Sequence, residues 1–357
     1  MAYGPSTEGM LQHIRMVYDW KLDCLDLRFC NVTTVPEIPP HVKSIWLAQS
    51  QITSLPKLPD GLLEFCYAGT KLITYPEFPP TLIRLALGYS DITELPRLPS
   101  GLKHLCCEES KITSLPTLPS GLEWLVCRDT PLTTLTELPP ALMYLNCSYT
   151  SITTLPELPP TLECLCCSHT AITTLPELPA KLEILDVENT NINTFPTLPT
   201  TLINLNCSNT KINILPEPEL LLELKILNCS NTNITVLPKK SPIYHLYCAN
   251  TKIKELPENF YRMLTLDCSN TLITRFPIPK EYPPKINLET LICENTPLIV
   301  KKKPDESIEE YIFRAWEIQR TYDRTALIKE ELIANVWHPS RVEKLLGISG
   351  WETVDAM

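Results

Sequence analysis

The most constraining feature of the sequence is a unit of about twenty residues that recurs fourteen times between residues 21 and 300, with small changes of spacing in the later copies. Two of its copies read GLKHLCCEESKITSLPTLPS over 101–120 and ALMYLNCSYTSITTLPELPP over 141–160. We number the positions within each unit as slots 1 to 20. Slots 2, 5, 7, 12, 15 and 18 are mostly apolar, and slots 16 and 19 are usually proline. One unit is too short to bury its apolar residues alone, so the units must stack and share one core.

The pattern L-x-x-L-x-C-x-x-T-x-I followed by L-P-x-L-P resembles the short leucine-rich repeats of bacterial type III effectors of the YopM and IpaH kind. It is also similar to leucine-rich-repeat proteins of giant DNA viruses of amoebae. The resemblance covers residues 21–300. It implies an α/β solenoid, a horseshoe of about 14 coils of about 20 residues with a parallel β-sheet on its concave side. Cysteine at slot 7 and threonine at slot 10 depart from the effector pattern, which has valine and asparagine there.

The chain divides into three predicted regions: an N-terminal cap over 1–20, the solenoid over 21–300 and a C-terminal helical segment over 301–357. On the convex side, two prolines three residues apart favour an extended, polyproline-like return in place of a helix. In the C-terminal segment, S-x-x-E capping boxes at Ser307–Glu310 and Ser340–Glu343 predict two helix starts. We expect this segment to cap the last coil, and docking of a partner is the alternative.

Most of the cysteines fall on one position of the unit. Nine occupy slot 7, which points inward from a short strand, and we predict that they are reduced and buried as small apolar residues. These nine are Cys107, Cys127, Cys147, Cys167, Cys207, Cys229, Cys248, Cys268 and Cys293. Cys164 and Cys166, in slots 4 and 6, point outward, so we expect both thiols to be readily accessible. With His169 nearby they could be metal ligands or a Cys–His nucleophile, but the C-x-C spacing lies on an extended strand and a fourth ligand is absent, so we predict simple thiols and no metal site.

Slot 10 carries threonine in ten units and serine in three, with Cys30 in the first. Leucine-rich repeats usually have asparagine there, which bonds the turning backbone of adjacent coils. A hydroxyl can donate to one carbonyl and accept from one N–H, so we predict a ladder of hydroxyls that takes over part of this work. The residue before it, in slot 9, is asparagine in six units. We expect this exposed asparagine to support the turn from outside.

The concave face carries the candidate binding residues. Side chains in slots 4, 6 and 8 alternate with the inward slots 5 and 7, so they point onto this face. The candidates for binding a protein partner are Trp46, Arg84, Tyr89, Trp124, Arg128, Tyr144 and Tyr149. Tryptophan, tyrosine and arginine are the residues that most often dominate binding energy at interfaces. The alternative is that they only pack over their neighbours. Later repeats carry Asn206, Asn228, Asp186 and Asp267 instead, which suit a polar rim or a silent spacer.

Several function classes are disfavoured. The net charge is −10 and the one dense basic run is Lys301–Lys303, so nucleic-acid binding is not expected. No apolar run is long enough to span a membrane, and the N-terminus lacks the apolar core of a secretory signal. A reducing, intracellular location follows from these features and from the free cysteines. The sequence contains no phosphate-binding, zinc-protease or serine-hydrolase motif.

The sequence therefore predicts a non-enzymatic protein-interaction module without a cofactor, similar to viral or effector proteins that act in a host cell. Effectors of the IpaH kind carry a separate ubiquitin-ligase domain with a cysteine nucleophile. That activity cannot be transferred here, because no cysteine follows Cys293. The alternative function is a substrate-targeting subunit for ubiquitylation that recruits a ligase through its C-terminal helices.

Overall fold

A computed structural model of the chain describes residues 7–35, 37–72, 76–216, 220–279 and 284–336. Helix α1 spans Thr7–Asp19 and helix α2 spans Ile308–Val336. Between them lie fourteen strands of three residues each: β1 Cys24–Asp26, β2 Ser44–Trp46, β3 Glu64–Cys66, β4 Arg84–Ala86, β5 His104–Cys106, β6 Trp124–Val126, β7 Tyr144–Asn146, β8 Cys164–Cys166, β9 Ile184–Asp186, β10 Asn204–Asn206, β11 Ile226–Asn228, β12 His245–Tyr247, β13 Thr265–Asp267 and β14 Thr290–Ile292. The predicted leucine-rich-repeat solenoid is confirmed, with one strand for each repeat.

All fourteen strands form one parallel sheet, in the order of the sequence. Every pairing joins the same slot of adjacent coils, so that Leu145 lies opposite Leu125 on one side and Leu165 on the other. Because the register never shifts, side chains of one slot form a continuous row across the sheet. The convex side carries no α-helix in the described residues between α1 and α2. The proline-rich segments return there without a convex α-helix, as predicted, and a 3-10 helix spans Phe260–Arg262.

Hydrogen bonds between coils continue beyond the short strands. The slot 7 N–H donates to the slot 6 carbonyl of the next coil, as from Cys147 to Cys166 at 2.8 Å. The slot 9 N–H donates to the slot 8 carbonyl of the next coil, as from Tyr149 to Ser168 at 2.9 Å. Slot 9 has a positive φ in every coil, at +50° to +61° for the thirteen residues other than Gly69. This left-handed turn directs the slot 9 N–H to the neighbouring coil.

Asparagine tolerates the left-handed conformation better than most residues. The six asparagines at slot 9 therefore have a backbone role that the sequence interpretation missed. The recurrence of asparagine at slot 9 indicated this left-handed backbone. Tyr89 and Tyr149 occupy the same conformation without that preference.

The core consists of slots 2, 5, 7 and 12 from successive coils. Eight of the nine slot 7 cysteines are fully buried, and all fifteen cysteines are free thiols, in agreement with the prediction. Burial raises the pKa of Cys147 to about 12, which keeps this thiol protonated. Cys293 is an exception to the predicted burial. It is partly exposed because it lies in the last coil of the sheet, where no further coil covers it.

Most slot 10 hydroxyls bond within their own coil, so the predicted ladder between adjacent coils is wrong for those coils. In ten coils the hydroxyl donates to the slot 7 carbonyl of its own coil at 2.6–2.8 Å, as Thr150 does to Cys147. The left-handed slot 9 turn brings slot 10 back over this carbonyl, and a hydroxyl is too short to reach farther. Thr296 differs, because it donates to Cys268 of the preceding coil at 2.7 Å.

We expect Thr150→Val to lower the free energy of unfolding by about 1–2 kcal/mol, because it leaves the buried Cys147 carbonyl without this donor at nearly constant side-chain volume. Urea unfolding followed by circular dichroism measures the loss. The matched control is Thr153→Val, which makes the same chemical change at an exposed convex position. Equal stabilities for the two variants would contradict a structural role for the slot 10 hydroxyl.

A close backbone contact fixes the residue type at Gly88 in slot 8. A Cβ atom at Gly88 would lie 2.5 Å from the carbonyl oxygen of Glu108 in the next coil. We expect Gly88→Ala to destabilise the protein by about 1–3 kcal/mol, since the two coils must separate to accept the methyl group. Gly121→Ala is the control, because nothing lies within 4 Å of its added Cβ. Melting temperatures of both variants test this contact, and an unchanged value for Gly88→Ala would refute it.

Helices cover parts of both ends of the solenoid. Met10, Ile14 and Val17 of α1 are buried in the same core as the repeats. From α2, the buried residues are Tyr311, Ile312, Ala315 and Trp316. The Trp316 Nε1–H donates to the Pro277 carbonyl at 3.0 Å, and the Tyr311 hydroxyl donates to the Val300 carbonyl at 2.8 Å. These contacts attach the first half of α2 to the last coils.

The predicted capping box at Ser307 and Glu310 is confirmed. The Glu310 N–H donates to the Ser307 hydroxyl at 3.1 Å, and the Ser307 N–H donates to the Glu310 carboxylate at 2.9 Å. The second box, Ser340–Glu343, lies outside the described residues. The region boundaries at residues 20 and 300 stay predictions. Neither of the two described helices is both long enough and apolar enough to cross a membrane.

Candidate functional site

A stacked pair of aromatic rings lies on the concave face, near the middle of the sheet. Trp124 and Tyr144 occupy slot 4 of β6 and β7 and are register partners. Their ring centroids are 3.7 Å apart and their planes differ by 2°. Trp124 is 41% exposed and Tyr144 is half-buried. The two residues lie side by side as the repeat pattern predicts, and their role in binding stays a prediction.

A second stack lies at the rim of the same face. Tyr149 and His169 occupy slot 9 of adjacent coils, with ring centroids 4.1 Å apart and an interplanar angle of 10°. The Arg128 guanidinium carbon is 5.9 Å from the Tyr149 ring centroid. On the other side, the Asn189 amide nitrogen is 2.8 Å from His169 Nδ1. A row of four side chains therefore runs along the rim, and its aromatic members project from the left-handed turns.

The charge of Arg128 acts on residues of both stacks. Burial raises the pKa of the Tyr144 hydroxyl, and the positive charge of Arg128 opposes this rise. The negative charge of Glu108 raises the pKa of Tyr89, and Arg128 opposes this rise as well. The guanidinium therefore acts on Tyr89, Tyr144 and Tyr149. We call Trp124, Arg128, Tyr144 and Tyr149 the Trp124 patch.

The Arg128 side chain lacks the carboxylate partner that other concave arginines have. Its Nε atom is buried and has no hydrogen-bond partner among the described residues, and no described carboxylate lies within 4.0 Å of the guanidinium. By contrast, Arg84 pairs with Glu64 at 3.3 Å. A half-buried cation with an unused donor is costly unless something else binds it.

The other predicted binding residues lie apart from this patch. Trp46 is on β2, with the Arg28 guanidinium carbon 5.3 Å from its ring centroid. Arg28 itself is held by Asp26 at 2.6 Å. Arg84, on β4, is neutralised by its ion pair, and Tyr89 projects from the rim. The structure thus brings Trp124, Arg128, Tyr144 and Tyr149 together, places Tyr89 within electrostatic range and leaves Trp46 and Arg84 outside.

Two residues near the patch were missed as binding candidates. The His104 ring centroid is 6.5 Å from that of Trp124, and burial lowers the pKa of His104, which favours its neutral form. The sequence indicated this contact, because His104 occupies slot 4 of the coil before Trp124. His169 was considered only as a metal ligand, although slot 9 of the coil after Tyr149 places it beside that ring.

Cys164 and Cys166 lie on the concave face next to the aromatic stack. Cys164 is only 7% exposed because Tyr144 and Ile184 flank it on the adjacent strands. The expectation that both thiols are readily accessible is therefore wrong for Cys164. Their Sγ atoms are 3.8 Å apart. His169 faces Tyr149 and Asn189 instead, and no three His, Cys, Asp or Glu residues in the described part of the chain are grouped to hold a metal ion.

Asparagine and aspartate in slot 6 have a structural function that the sequence interpretation missed. Their Oδ1 atoms accept the slot 8 N–H of the same coil at 3.1–3.3 Å, an Asx turn that ends the strand. The residues are Asp26, Asn146, Asp186, Asn206, Asn228 and Asp267. Whether the later repeats form a polar rim or a spacer without a binding role stays a prediction. The signal was an Asn or Asp two residues before each slot 8 residue.

Known structures share this architecture. The leucine-rich effector protein YopM from Yersinia pestis is similar at 25% sequence identity, with a TM-score of 0.70 over 82% of this chain and 95% of that chain. A leucine-rich-repeat protein from Leptospira interrogans has a TM-score of 0.62 at 20% identity, over 84% and 90% of the two chains. The leucine-rich-repeat part of FLRT2, in a complex with latrophilin 3 and Unc5D, has a TM-score of 0.56 at 19% identity, over 72% and 92%. No protein-family model and no curated protein sequence matches the chain.

Proposed function

We propose that this protein is a non-enzymatic interaction module that binds a protein partner through the Trp124 patch. The structural similarity of this chain to the effector YopM and to FLRT2 within a multiprotein complex supports a binding function. One observation carries the assignment to this patch. The half-buried Arg128 guanidinium has no carboxylate partner in the described chain and lies beside the Tyr149–His169 stack.

The chemistry of the patch indicates what a partner would present. The Trp124–Tyr144 stack offers a rigid apolar surface whose side chains lose little entropy on binding, because they already hold each other in place. Arg128 offers N–H donors to a carboxylate or a main-chain carbonyl. A protein segment with an apolar side chain next to an acidic residue or a free carbonyl would match both. Tryptophan, tyrosine and arginine together form the residue set that is most enriched in binding hot spots.

The cellular setting is part of the proposal. The likeness to a bacterial effector supports a function inside a host cell, as an effector-like or viral protein. The fifteen free thiols fit a reducing compartment, where buried cysteines serve as apolar core residues.

Capture experiments test the assignment. Wild type, Trp124→Ala/Tyr144→Ala and Trp46→Ala are used as baits, with mass spectrometry of the captured proteins. We expect one protein to be captured by wild type and Trp46→Ala and lost with the double variant. Trp46 is the matched control, because it is an exposed concave tryptophan outside the patch. Loss of the same protein from both variants, or from neither, would rule out the Trp124 patch.

The second candidate function, recruitment of a ubiquitin ligase by the C-terminal helices, is favoured by one observation. Beyond Trp316, α2 exposes the large apolar residues Ile318 and Tyr322. The test is Ile318→Ala/Tyr322→Ala. Selective loss of a ligase subunit from the captured proteins supports this function, and unchanged capture argues against it.

A further inference from the structure

The concave face contains one pair of cysteines whose sulfur atoms are in contact. Cys164 and Cys166 occupy slots 4 and 6 of β8, so their side chains leave the strand on the same face. The Sγ atoms are 3.8 Å apart, which is close enough for both to bind one ion. Cys166 is partly exposed on the concave face and Cys164 beside it is buried. An ion from solvent would therefore reach Cys166 first.

The surroundings of this pair suit a cation. Asp186 lies opposite Cys166 on β9, and its negative charge acts on both thiols. Reactive cysteine nucleophiles usually lie in positive surroundings, so this site is poorly built for nucleophilic chemistry. On the other flanking strand, Tyr144 lies opposite Cys164.

The geometry points to the Cys164–Cys166 pair as a binding site for one soft, thiophilic cation of low coordination number, for which Cu(I) is the probe. Soft thiolate ligands select Cu(I), which is stable with two of them. On binding, the ion replaces the two thiol protons, which pass to solvent. Zn²⁺ fits less well because its protein sites usually supply three or four ligands, and the described residues hold no group of three.

Competition with a coloured Cu(I) chelator, on the full-length reduced protein under anaerobic conditions, tests the site. We expect wild type to remove one equivalent of Cu(I) from the chelator. Cys164→Ser and Cys166→Ser should each bind more than about 100-fold more weakly, since loss of a supporting contact alone already costs roughly 10- to 100-fold.

Cys106→Ser is the matched control. Cys106 occupies slot 6 of β5 and is partly exposed, but its slot 4 neighbour on the same strand is His104 rather than a second cysteine. The control should bind Cu(I) as wild type does. Equal affinities for wild type and Cys164→Ser, or an equal loss in Cys106→Ser, would overturn the proposal. Melting curves identify a variant that has not folded, and Cys164→Ala then replaces Cys164→Ser.

Discussion

Replacing Leu145 by Ala is expected to lower the free energy of unfolding by about 2–5 kcal/mol. Leu145 occupies slot 5 of β7 and is fully buried between Leu125 and Leu165 of the adjacent coils. Alanine would leave a cavity that neither coil can fill, because the invariant register fixes the distance between them. Urea unfolding monitored by circular dichroism measures the loss. In a solenoid each coil contacts mainly its neighbours, so coils 6 to 8 should loosen first in hydrogen exchange.

Leu291→Ala is the matched control for this prediction. Leu291 occupies slot 5 of β14, the last strand, and is only partly buried. The same change should therefore cost less than half as much at Leu291 as at Leu145, since less apolar surface is lost from the core. Equal costs at the two sites would contradict the view that stacking on both sides gives the slot 5 leucines their stability.

The sequence predicts the fold well because one physical constraint acts fourteen times. Each coil must return to the same register, so every slot has one environment, and apolar slots identify the core. The pattern could not assign slot 10 correctly. The direction of the Thr150 hydroxyl depends on the left-handed backbone at Tyr149, and tyrosine gives no sign of that conformation. Gly69, Asp129 and the asparagines of later coils indicate it.

The candidate site was predictable where it depends on register alone. Trp124 and Tyr144 share slot 4 in adjacent coils, and this is sufficient to place their rings together. The ion pair of Arg84 could be read in the same way, because Glu64 occupies slot 4 of the coil before it. The position of the Arg128 side chain could not be predicted from register. Its neighbour in slot 8 of the preceding coil is Glu108, which suggests an ion pair, but the guanidinium lies by Tyr149 of the following coil.

Arg84 is paired with a carboxylate and Arg128 is not, so the two residues should contribute differently to binding. Arg128→Gln should weaken binding of the captured partner by about 2 kcal/mol or more, a loss of about 30-fold in affinity. The reason is that the Arg128 donors are unused in the free protein and become paired only in the complex. Arg84→Gln should change binding by less than about 1 kcal/mol, because its charge is already neutralised by Glu64 at the surface.

Trp124→Ala should cost at least as much as Arg128→Gln, about 2–4 kcal/mol of binding free energy, because it removes the exposed ring and leaves Tyr144 without its stacking partner. Calorimetry with the captured partner measures the affinity, and a melting curve for each variant measures stability. If the rings only pack over their neighbours, Trp124→Ala should lower the melting temperature and leave the affinity unchanged. That outcome, together with equal affinities for Arg128→Gln and Arg84→Gln, would remove the Trp124 patch as the binding surface. A selective loss of affinity at Trp124 and Arg128, with stability retained, is the result that distinguishes a binding site from surface packing.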